Sequence, residues 1–259
     1  MNKGDWALVT GASSGIGKAF AECLAQRGLH LVMVALHEEP LANLARQWEE
    51  AYGIQCVSLS VDLADPASAQ IIHREIQNRN LSIDVLVNSA GFGYFGDFQV
   101  MPADQITKMV QVNATSIAAL CRCLLPSMQA RNKGAIINVA SVAGFIPYPF
   151  AAVYSATKSF IITFTKAIWA ENQAKNVRIL LLCPGYTKTN FEKVSTEPSR
   201  VHLFSGEDPH VIAEKALSSL SSSRCQLFSR CSHPIKILGA KILPPKAFAG
   251  ILRHLRNKG

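Results

Sequence analysis

The chain has 259 residues, 49% of them hydrophobic, and a formal net charge of +8. This length suffices for one large α/β domain with a substantial core. The positive charge is concentrated at the end of the chain: residues 215–259 hold nine Lys or Arg and no Asp or Glu, whereas residues 1–214 hold 17 basic and 18 acidic residues. Because nucleic-acid enzymes more often spread basic side chains over a face of the body, this distribution argues against a nucleic-acid partner.

The sequence also argues against a membrane-spanning protein, a secreted protein and a protein held together by disulfides or metal. We find no uncharged apolar run of about 18 residues and therefore predict no membrane-spanning helix. The first strand pattern begins at Trp6 and leaves no room for a leader peptide, so we expect a cytoplasmic protein. The seven cysteines are scattered, and Cys121 and Cys123 point to different faces of a predicted helix. We therefore expect no metal site and no disulfide framework.

Short apolar strands alternate with longer helical segments along the chain. The predicted strands are Trp6–Thr10, Leu31–Ala35, Cys56–Val61, Val85–Asn88, Ala135–Ala140 and Arg178–Cys183. The predicted helices lie near 15–27, 40–52, 66–79, 102–130, 152–175 and 208–221. Continuous Val, Ile and Leu runs are typical of strands buried on both faces, and repeated β-α-β units imply a parallel sheet. The pattern predicts an α/β fold with a doubly wound parallel sheet and helices on both faces, of Rossmann or flavodoxin-like type.

The basic end of the chain is predicted to be an extension. We assign residues 1–223 to the α/β domain and residues 224–259 to a basic amphipathic extension that starts with a last strand, Cys225–Ser229. Beyond that strand, Pro244-Pro245 separates two short segments that mix basic and apolar residues. Such segments can bind an anionic membrane surface. A docking arm or an oligomer contact with a solvated basic face is the favoured interpretation.

A glycine-rich turn follows the first strand. It reads Thr10-Gly11-Ala12-Ser13-Ser14-Gly15-Ile16-Gly17 and runs directly into a helix. Glycines permit a tight turn and close approach of the backbone to a phosphate, and the helix presents free N–H groups at its positive dipole end. The turn therefore predicts a dinucleotide site, with the spacing Gly-x3-Gly-x-Gly in place of the commoner Gly-x-Gly-x-x-Gly.

In this spacing and in four later segments, the chain resembles the compact single-domain branch of the short-chain dehydrogenase/reductase family over residues 5–220. The four segments are Asp62-Leu63, Asn88-Ser89-Ala90-Gly91, Ser141 with Tyr154 and Lys158, and Pro184-Gly185 with Thr189. Two positions depart from the family pattern: Ser89 replaces the second Asn of an Asn-Asn-Ala-Gly signature, and Ala140 replaces the first of two serines.

The resemblance implies a single-domain Rossmann fold, a nicotinamide cofactor and a homo-oligomer, either a dimer or a tetramer. The residues that it assigns to the cofactor, together with His37, are Gly11, Ser13, Ser14, Gly15, Ile16, Gly17, Asp62, Leu63, Asn88, Ala90, Gly91, Tyr154, Lys158, Pro184, Gly185, Thr187 and Thr189.

Tyr154 and Lys158 are the centre of the predicted chemistry. They lie four residues apart in a predicted helix, so their side chains share one face. A free tyrosine has a pKa near 10, and a neighbouring cation lowers the pKa towards the range useful for proton transfer. The resemblance adds Ser141, which would hold the substrate carbonyl, and Asn113, whose carbonyl would position a water beside the lysine. The four residues predict interconversion of a ketone and a secondary alcohol.

The choice of cofactor is read from the end of the second strand. No acid stands at Ala35 to bind the ribose hydroxyls of NAD, and His37 could donate a hydrogen bond to the 2′-phosphate of NADP. NADP(H) is therefore favoured, while NAD(H) stays possible.

The predicted substrate is small and apolar. Its candidate pocket residues are aromatic or aliphatic and comprise Phe92, Gly93, Tyr94, Phe145 to Phe150 and Phe191 to Phe204; within the irregular segment Phe191–Pro209 we also expect mobility. A steroid-like, fatty-acyl or alicyclic ketone fits this lining. An NAD-dependent hydroxysteroid dehydrogenase working in the oxidative direction, and a non-catalytic cofactor-binding sensor or scaffold, remain alternatives.

Overall fold

A computed structural model of the chain describes residues 1–189, 191, 206–242, 244 and 246–251, with the side chains of residues 241 and 242 left out. The strands are β1 (Trp6–Thr10), β2 (His30–Ala35), β3 (Cys56–Ser60), β4 (Ile83–Asn88), β5 (Gly134–Val139), β6 (Val177–Cys183) and β7 (Gln226–Phe228). The helices are α1 (Gly15–Gln26), α2 (Glu38–Tyr52), α3 (Ser68–Asn78), α4 (Ala103–Val110), α5 (Ser116–Ala130), α6 (Ala152–Glu171), α7 (Pro209–Ser219) and α8 (His233–Ile242).

Within the described residues, the seven strands form one parallel sheet in the order β3-β2-β1-β4-β5-β6-β7. The strand order reverses between β1 and β4, which is the arrangement of a Rossmann fold and not of a flavodoxin-like sheet. Thr10 is in register with Asn88, and Asn88 with Asn138, so the carboxyl ends of β1, β4 and β5 meet at one edge. Ligands bind at this edge next to the reversal point.

Two helical layers cover the sheet, which confirms the doubly wound architecture. One apolar cluster joins the sheet to α1, α2 and α7, and the other joins it to α3, α5 and α6. The largest fully buried side chains include Trp48 of α2, Phe20 of α1 and Ile72 of α3. Because both faces of the central strands are buried, those strands read as continuous apolar runs in the sequence.

The long predicted helix near 102–130 is a composite. Helices α4 and α5 are joined by a π-helical turn, Gln111–Thr115, and two short 3₁₀ turns lie nearby at Phe98–Val100 and Val142–Phe145. The run Ala103–Ala130 is long and apolar enough to cross a membrane by length and composition, which the sequence reading did not recognise. Its apolar side chains, such as Leu120 and Leu124, belong to the core cluster beneath the sheet. The helix is therefore a core element of this fold.

Helix α6 ends at Glu171, four residues before the predicted end. The buried side chain of Asn172 donates to the carbonyl of Val177 at 2.7 Å and accepts from Gln129 at 3.0 Å. An asparagine that bonds the following strand competes with continuation of the helix. The turn after α6 is thus set by a contact between segments that the local pattern does not reveal.

Part of the predicted extension folds onto the domain. Strand β7 pairs with β6 through Leu181 and Gln226 at the edge of the sheet. Beyond it, Ile237 of α8 and Phe248 are buried in one cluster with Val142 and Ile146. Of the irregular segment Phe191–Pro209, residues 192–205 lie outside the described part of the chain.

Candidate active site

The glycine turn between β1 and α1 forms a cradle that no larger side chain could occupy. Gly11 and Gly15 have positive φ angles of 69° and 54°. A Cβ on Gly17 would collide with the carbonyl oxygen of Gly11, and a Cβ on Gly11 would lie 2.9 Å from Ala90 Cα. The first turn of α1 carries no acidic side chain, and its N-cap Ser14 is extended and does not cap the helix with its own side chain. Its N–H groups and positive dipole end fit a pyrophosphate.

Three loops meet at this cradle. The hydroxyl of Thr10 accepts hydrogen bonds from the backbone N–H groups of Ser89 at 3.0 Å and Ala90 at 3.1 Å. A Cβ on Gly15 would lie 3.2 Å from Cγ2 of Thr189, so the loop after β6 lies against the start of α1. Thr10 was not among the predicted site residues. A threonine that closes a strand gives no distinctive signal, because its acceptor role depends on two amides almost eighty residues away.

A ladder of buried amides supports the two strand ends. Asn88 donates to Asn138 Oδ1 at 2.8 Å, and Asn138 donates to the hydroxyl of Thr165 at 3.0 Å. All three side chains are fully buried, where an unmet hydrogen bond would be costly. The ladder therefore ties β4, β5 and α6 together directly behind the site, which gives the predicted residue Asn88 a supporting position.

The side chains expected to meet the adenosine part of a cofactor lie at the far end of the same sheet edge. Asp62 is exposed after β3 and accepts from the backbone N–H of Ala64 at 2.8 Å, while Leu63 is buried. His37 is an exposed N-cap of α2, and Leu36 beside it is 56% exposed. The carboxylates that follow, starting with Glu38, belong to the first turn of α2 and not to the end of β2.

The predicted catalytic groups come together. Lys158 of α6 is 4% exposed, and its ammonium donates to the carbonyl of Val139, the last residue of β5, at 3.0 Å. The same ammonium lies 5.7 Å from the ring centroid of Tyr154. Ser141 begins the 3₁₀ turn after β5, where its hydroxyl accepts from Ala143 at 3.2 Å and lies close enough to the phenol of Tyr154 to lower its pKa. Hydroxyl, phenol and ammonium thus form one polar group at the sheet edge.

The titration of these groups differs from the expectation. Burial raises the pKa of Tyr154 to about 12, and the hydrogen bond from Ser141 offsets only part of that rise. Burial also lowers the pKa of Lys158 to about 8. The sequence reading expected a neighbouring lysine to lower the pKa of the tyrosine, whereas the net shift in the structure is upward and burial is its largest cause. A protonated phenol is suited to donate a proton to a developing alkoxide.

Asn113 lies in the π turn between α4 and α5, and its side chain is buried. The amide accepts from the backbone N–H of Phe92 at 3.0 Å and donates to the carbonyl of Phe92 at 2.8 Å. A Cβ on Gly91 would lie 3.0 Å from Asn113 Oδ1 and 3.6 Å from Lys158 Nζ, so these three residues converge. The side chain of Asn113 is thus engaged by Phe92, and the water beside Lys158 stays a prediction. Breaks of this kind in a helical ladder are frequent at functional sites.

Two aromatic rings form a wall beside the phenol. The ring centroids of Phe95 and Phe191 lie 5.9 Å and 5.6 Å from that of Tyr154, and 6.5 Å from each other. The Tyr154 side chain itself is partly accessible. The predicted pocket included Phe191 but passed over Phe95, which lies one residue beyond the predicted run Phe92 to Tyr94.

Several of the predicted pocket residues after Ser141 pack against the end of the chain. Phe145 lies against Phe228 at 5.3 Å, and Tyr148 meets Phe248 edge-on at 6.0 Å. These rings face the end of the chain, and Val142 and Ile146 belong to the same cluster. Phe145 packs against β7 and stays partly exposed, so the assignment of the run Phe145 to Phe150 to the substrate pocket stays a prediction.

A buried polar cluster supports the Pro184-Gly185 loop from behind. The Ser229 hydroxyl donates to the Glu207 carboxylate at 2.6 Å and accepts from the Gly185 N–H at 3.2 Å. A Cβ on Gly185 would lie 2.7 Å from the imidazole of His233, so only glycine fits here. Burial lowers the pKa of His233, which favours the neutral ring. The sequence reading missed this cluster because its members lie on three separate segments.

The comparisons with known proteins agree with this geometry. The sequence profile described as short chain dehydrogenase matches residues 5–199. A very-long-chain 3-oxoacyl-CoA reductase-A of Danio rerio is 34% identical over 195 residues, which cover 74% of this chain and 60% of that protein. The chain belongs to the short chain dehydrogenase family, as its five motifs predicted. Members of this family are oxidoreductases that act on hydroxyl or carbonyl groups with NAD or NADP.

Solved structures agree as well. A short-chain dehydrogenase from Sphingobium yanoikuyae in complex with NADPH superposes with a TM-score of 0.82 at 26% identity and covers 92% of this chain and 94% of its own. The bulky-bulky ketone specific alcohol dehydrogenase from Comamonas testosteroni has a TM-score of 0.78 at 27% identity, with 92% of both chains covered. The predicted fold and the nicotinamide cofactor are thereby confirmed.

The burial of Lys158 predicts how ketone reduction depends on pH. With a pKa of about 8, the ammonium loses its proton as the pH rises through that value, whereas Tyr154, with a pKa of about 12, stays protonated. We expect kcat/KM to be constant below a pH of about 8 and to fall above it, measured as a pH–rate profile. Lys158→Arg, which keeps its charge, should be slower and lack this fall. A profile of the unmodified protein that stays level above this pH contradicts the assignment.

The polar cluster behind Gly185 predicts that loss of Ser229 weakens cofactor binding. Ser229→Ala leaves the Gly185 N–H without its acceptor and removes the hydroxyl that donates to the Glu207 carboxylate, which Arg230 still pairs, and this should cost about 2 kcal/mol of stability. We expect a several-fold rise in the KM for cofactor with a smaller change in kcat, because the loop loses its support. Ser221→Ala removes an exposed hydroxyl near the end of α7 and serves as the control. Equal cofactor KM values in the two variants would contradict this role for Ser229.

Proposed function

We propose that the chain reduces the keto group of an apolar substrate with NADP(H), and that a fatty-acyl ketone of the 3-oxoacyl type is the preferred class. The observation that carries the proposal is the grouping of the Ser141 hydroxyl, the Tyr154 phenol and the Lys158 ammonium beside the ring of Phe191. A hydroxyl and a phenol that share a hydrogen bond can both bind one carbonyl oxygen. The aromatic wall excludes water from the carbon to which that oxygen belongs.

The residues act in a defined order. The nicotinamide, when bound, supplies the hydride. Ser141 holds the carbonyl oxygen, and Tyr154 donates the proton to it as the alcohol forms. Lys158 stays positively charged below its pKa of about 8 and stabilises the phenolate that remains. The phenolate would then regain a proton from solvent through Lys158 and a water that the Asn113 carbonyl would position beside it.

The acyl class is supported by the relatives and by the apolar wall. Several proteins named very-long-chain 3-oxoacyl-CoA reductase are 31–36% identical to the chain, among them the human one at 32%. The chain spans about 60% of the length of these relatives. No positively charged cluster surrounds Ser141 in the sequence, so the keto carbon would be recognised through its apolar substituents. A cytoplasmic location and an oligomeric assembly, which the sequence reading also expected, belong to this proposal.

The test is a substrate panel read from the absorbance of reduced nicotinamide. 3-Oxoacyl thioesters of increasing chain length should be reduced with a kcat/KM that rises with length, and should exceed 3-ketosteroids and alicyclic ketones. Tyr154→Phe should lower kcat by several orders of magnitude while cofactor binding survives. Tyr52→Phe, at the end of α2 and remote from the sheet edge, is the matched control. Near-normal turnover of Tyr154→Phe would refute the mechanism, and no turnover of any ketone by the unmodified protein would favour the scaffold alternative.

A second experiment concerns the choice of cofactor. Leu36 is exposed at the end of β2, where the ribose of the adenosine would lie. Leu36→Asp should lower kcat/KM for NADPH by about tenfold or more through repulsion of the 2′-phosphate, with a smaller effect on NADH. Leu36→Asn, of similar size and without charge, controls for the loss of the leucine. A strong preference of the unmodified protein for NADH would overturn the proposed use of NADP(H).

A further inference from the structure

Among the described residues near the end of the chain, α8 has two apolar faces, and one of them is covered by the domain while the other is exposed. In α8, Ile237 is 6% exposed and is buried against Val142 and Ile146, next to the catalytic serine. Ile235 and Leu238 of the same helix are 75% and 62% exposed. Because residues two apart in a helix are separated by about 200°, Ile235 points away from the anchored side. A helix that needed only to dock would carry polar residues on that outer face.

The segment beyond α8 repeats this arrangement. Residues 246–251 are helical; Phe248 is 6% exposed and packs against Tyr148, whereas Ile251 is 44% exposed. Each of the two segments therefore has one buried anchor and at least one large apolar side chain in solvent. Lys236 and Lys246 are exposed among them.

The positive charge of this region indicates which kind of surface would bind its exposed apolar face. Residues 215–259 contain nine Lys or Arg and no Asp or Glu, while the rest of the chain is close to neutral. Two copies of this face would bring like charges together, which opposes self-association. An anionic membrane surface is complementary to both features, since it attracts the lysines and accepts exposed apolar side chains at the level of the headgroups.

We infer that α8 and the segment 246–251 dock the protein on the surface of an anionic membrane through Ile235, Leu238 and Ile251. The opposite side of the same segment contacts the residues after Ser141, so docking places the lipid surface next to the active-site loop. The inference does not depend on the reaction, because it concerns residues outside the catalytic group. Both segments lie beyond the residues 5–199 that the family profile matches.

The test is co-sedimentation of the full-length protein with vesicles. Truncation at residue 223 is unsuitable, because it removes β7 and the Ser229 support of the Gly185 loop. The unmodified protein should pellet with vesicles of phosphatidylglycerol and phosphatidylcholine in equal amounts, but not with phosphatidylcholine alone, and raised salt should weaken binding. The double variant Ile235→Ser with Leu238→Ser should bind these vesicles at least about tenfold more weakly than the unmodified protein. Val211→Ser, which removes a side chain 65% exposed on α7, should bind like the unmodified protein.

A second variant guards against misfolding. Lys236→Glu with Lys246→Glu changes only exposed positions and should also weaken binding to anionic vesicles by about tenfold. Thermal unfolding of each variant shows whether the fold is retained. Failure of the unmodified protein to pellet, or equal pelleting of the Ile235/Leu238 variant, overturns the inference. Light scattering that shows a dimer converted to a monomer by that variant, without vesicle binding, assigns the face to a second copy instead.

Discussion

The arrangement of the site depends on one buried ammonium. Lys158 is almost completely removed from water, and the carbonyl of Val139 accepts its hydrogen bond. Burying a charge is unfavourable unless it is paired or hydrogen-bonded, so this contact fixes α6 against the end of β5. The same contact places Tyr154, one turn earlier on α6, beside Ser141, which follows β5 by two residues. The geometry of proton transfer is therefore set by the packing of one helix on one strand.

Two buried hydrogen-bonded groups hold the elements around Lys158 and the glycine turn in place. The amide ladder from Asn88 through Asn138 to Thr165 joins β4 and β5 to α6 from within. Glu207 and Ser229 hold the loop that contains Gly185 from the side of β7. Both are polar groups in an apolar interior, where satisfied hydrogen bonds confer rigidity and an unsatisfied one is costly. Both groups therefore tie the cofactor edge of the sheet to the elements behind it.

The final segments of the chain connect the site to the surface. The residues after Ser141 are covered by Ile237 and Phe248, so the end of the chain completes the wall around the active-site loop. Phe145, which the sequence assigned to the substrate pocket, packs against Phe228 of β7. The pocket wall near Tyr154 is formed by Phe95 and Phe191, from the loops after β4 and β6. The aromatic rings beside Tyr154 thus come from loops, whereas Tyr154 and Lys158 lie on one regular helix.

Much of the site could be predicted because it rests on local patterns. The glycine turn, the four-residue spacing of Tyr154 and Lys158, and the buried apolar strands each reflect a conformational or periodic requirement within a short stretch of chain. The sequence by itself therefore determined the doubly wound α/β fold and the glycine turn, and it proposed Ser141, Tyr154 and Lys158 as the catalytic group that the structure brings together. Only the tertiary structure decided the acceptor role of Thr10, the Glu207–Ser229 support, the aromatic partner Phe95 and the direction in which the pKa of Tyr154 shifts. These features arise from burial and from contacts between distant segments, which no local pattern records.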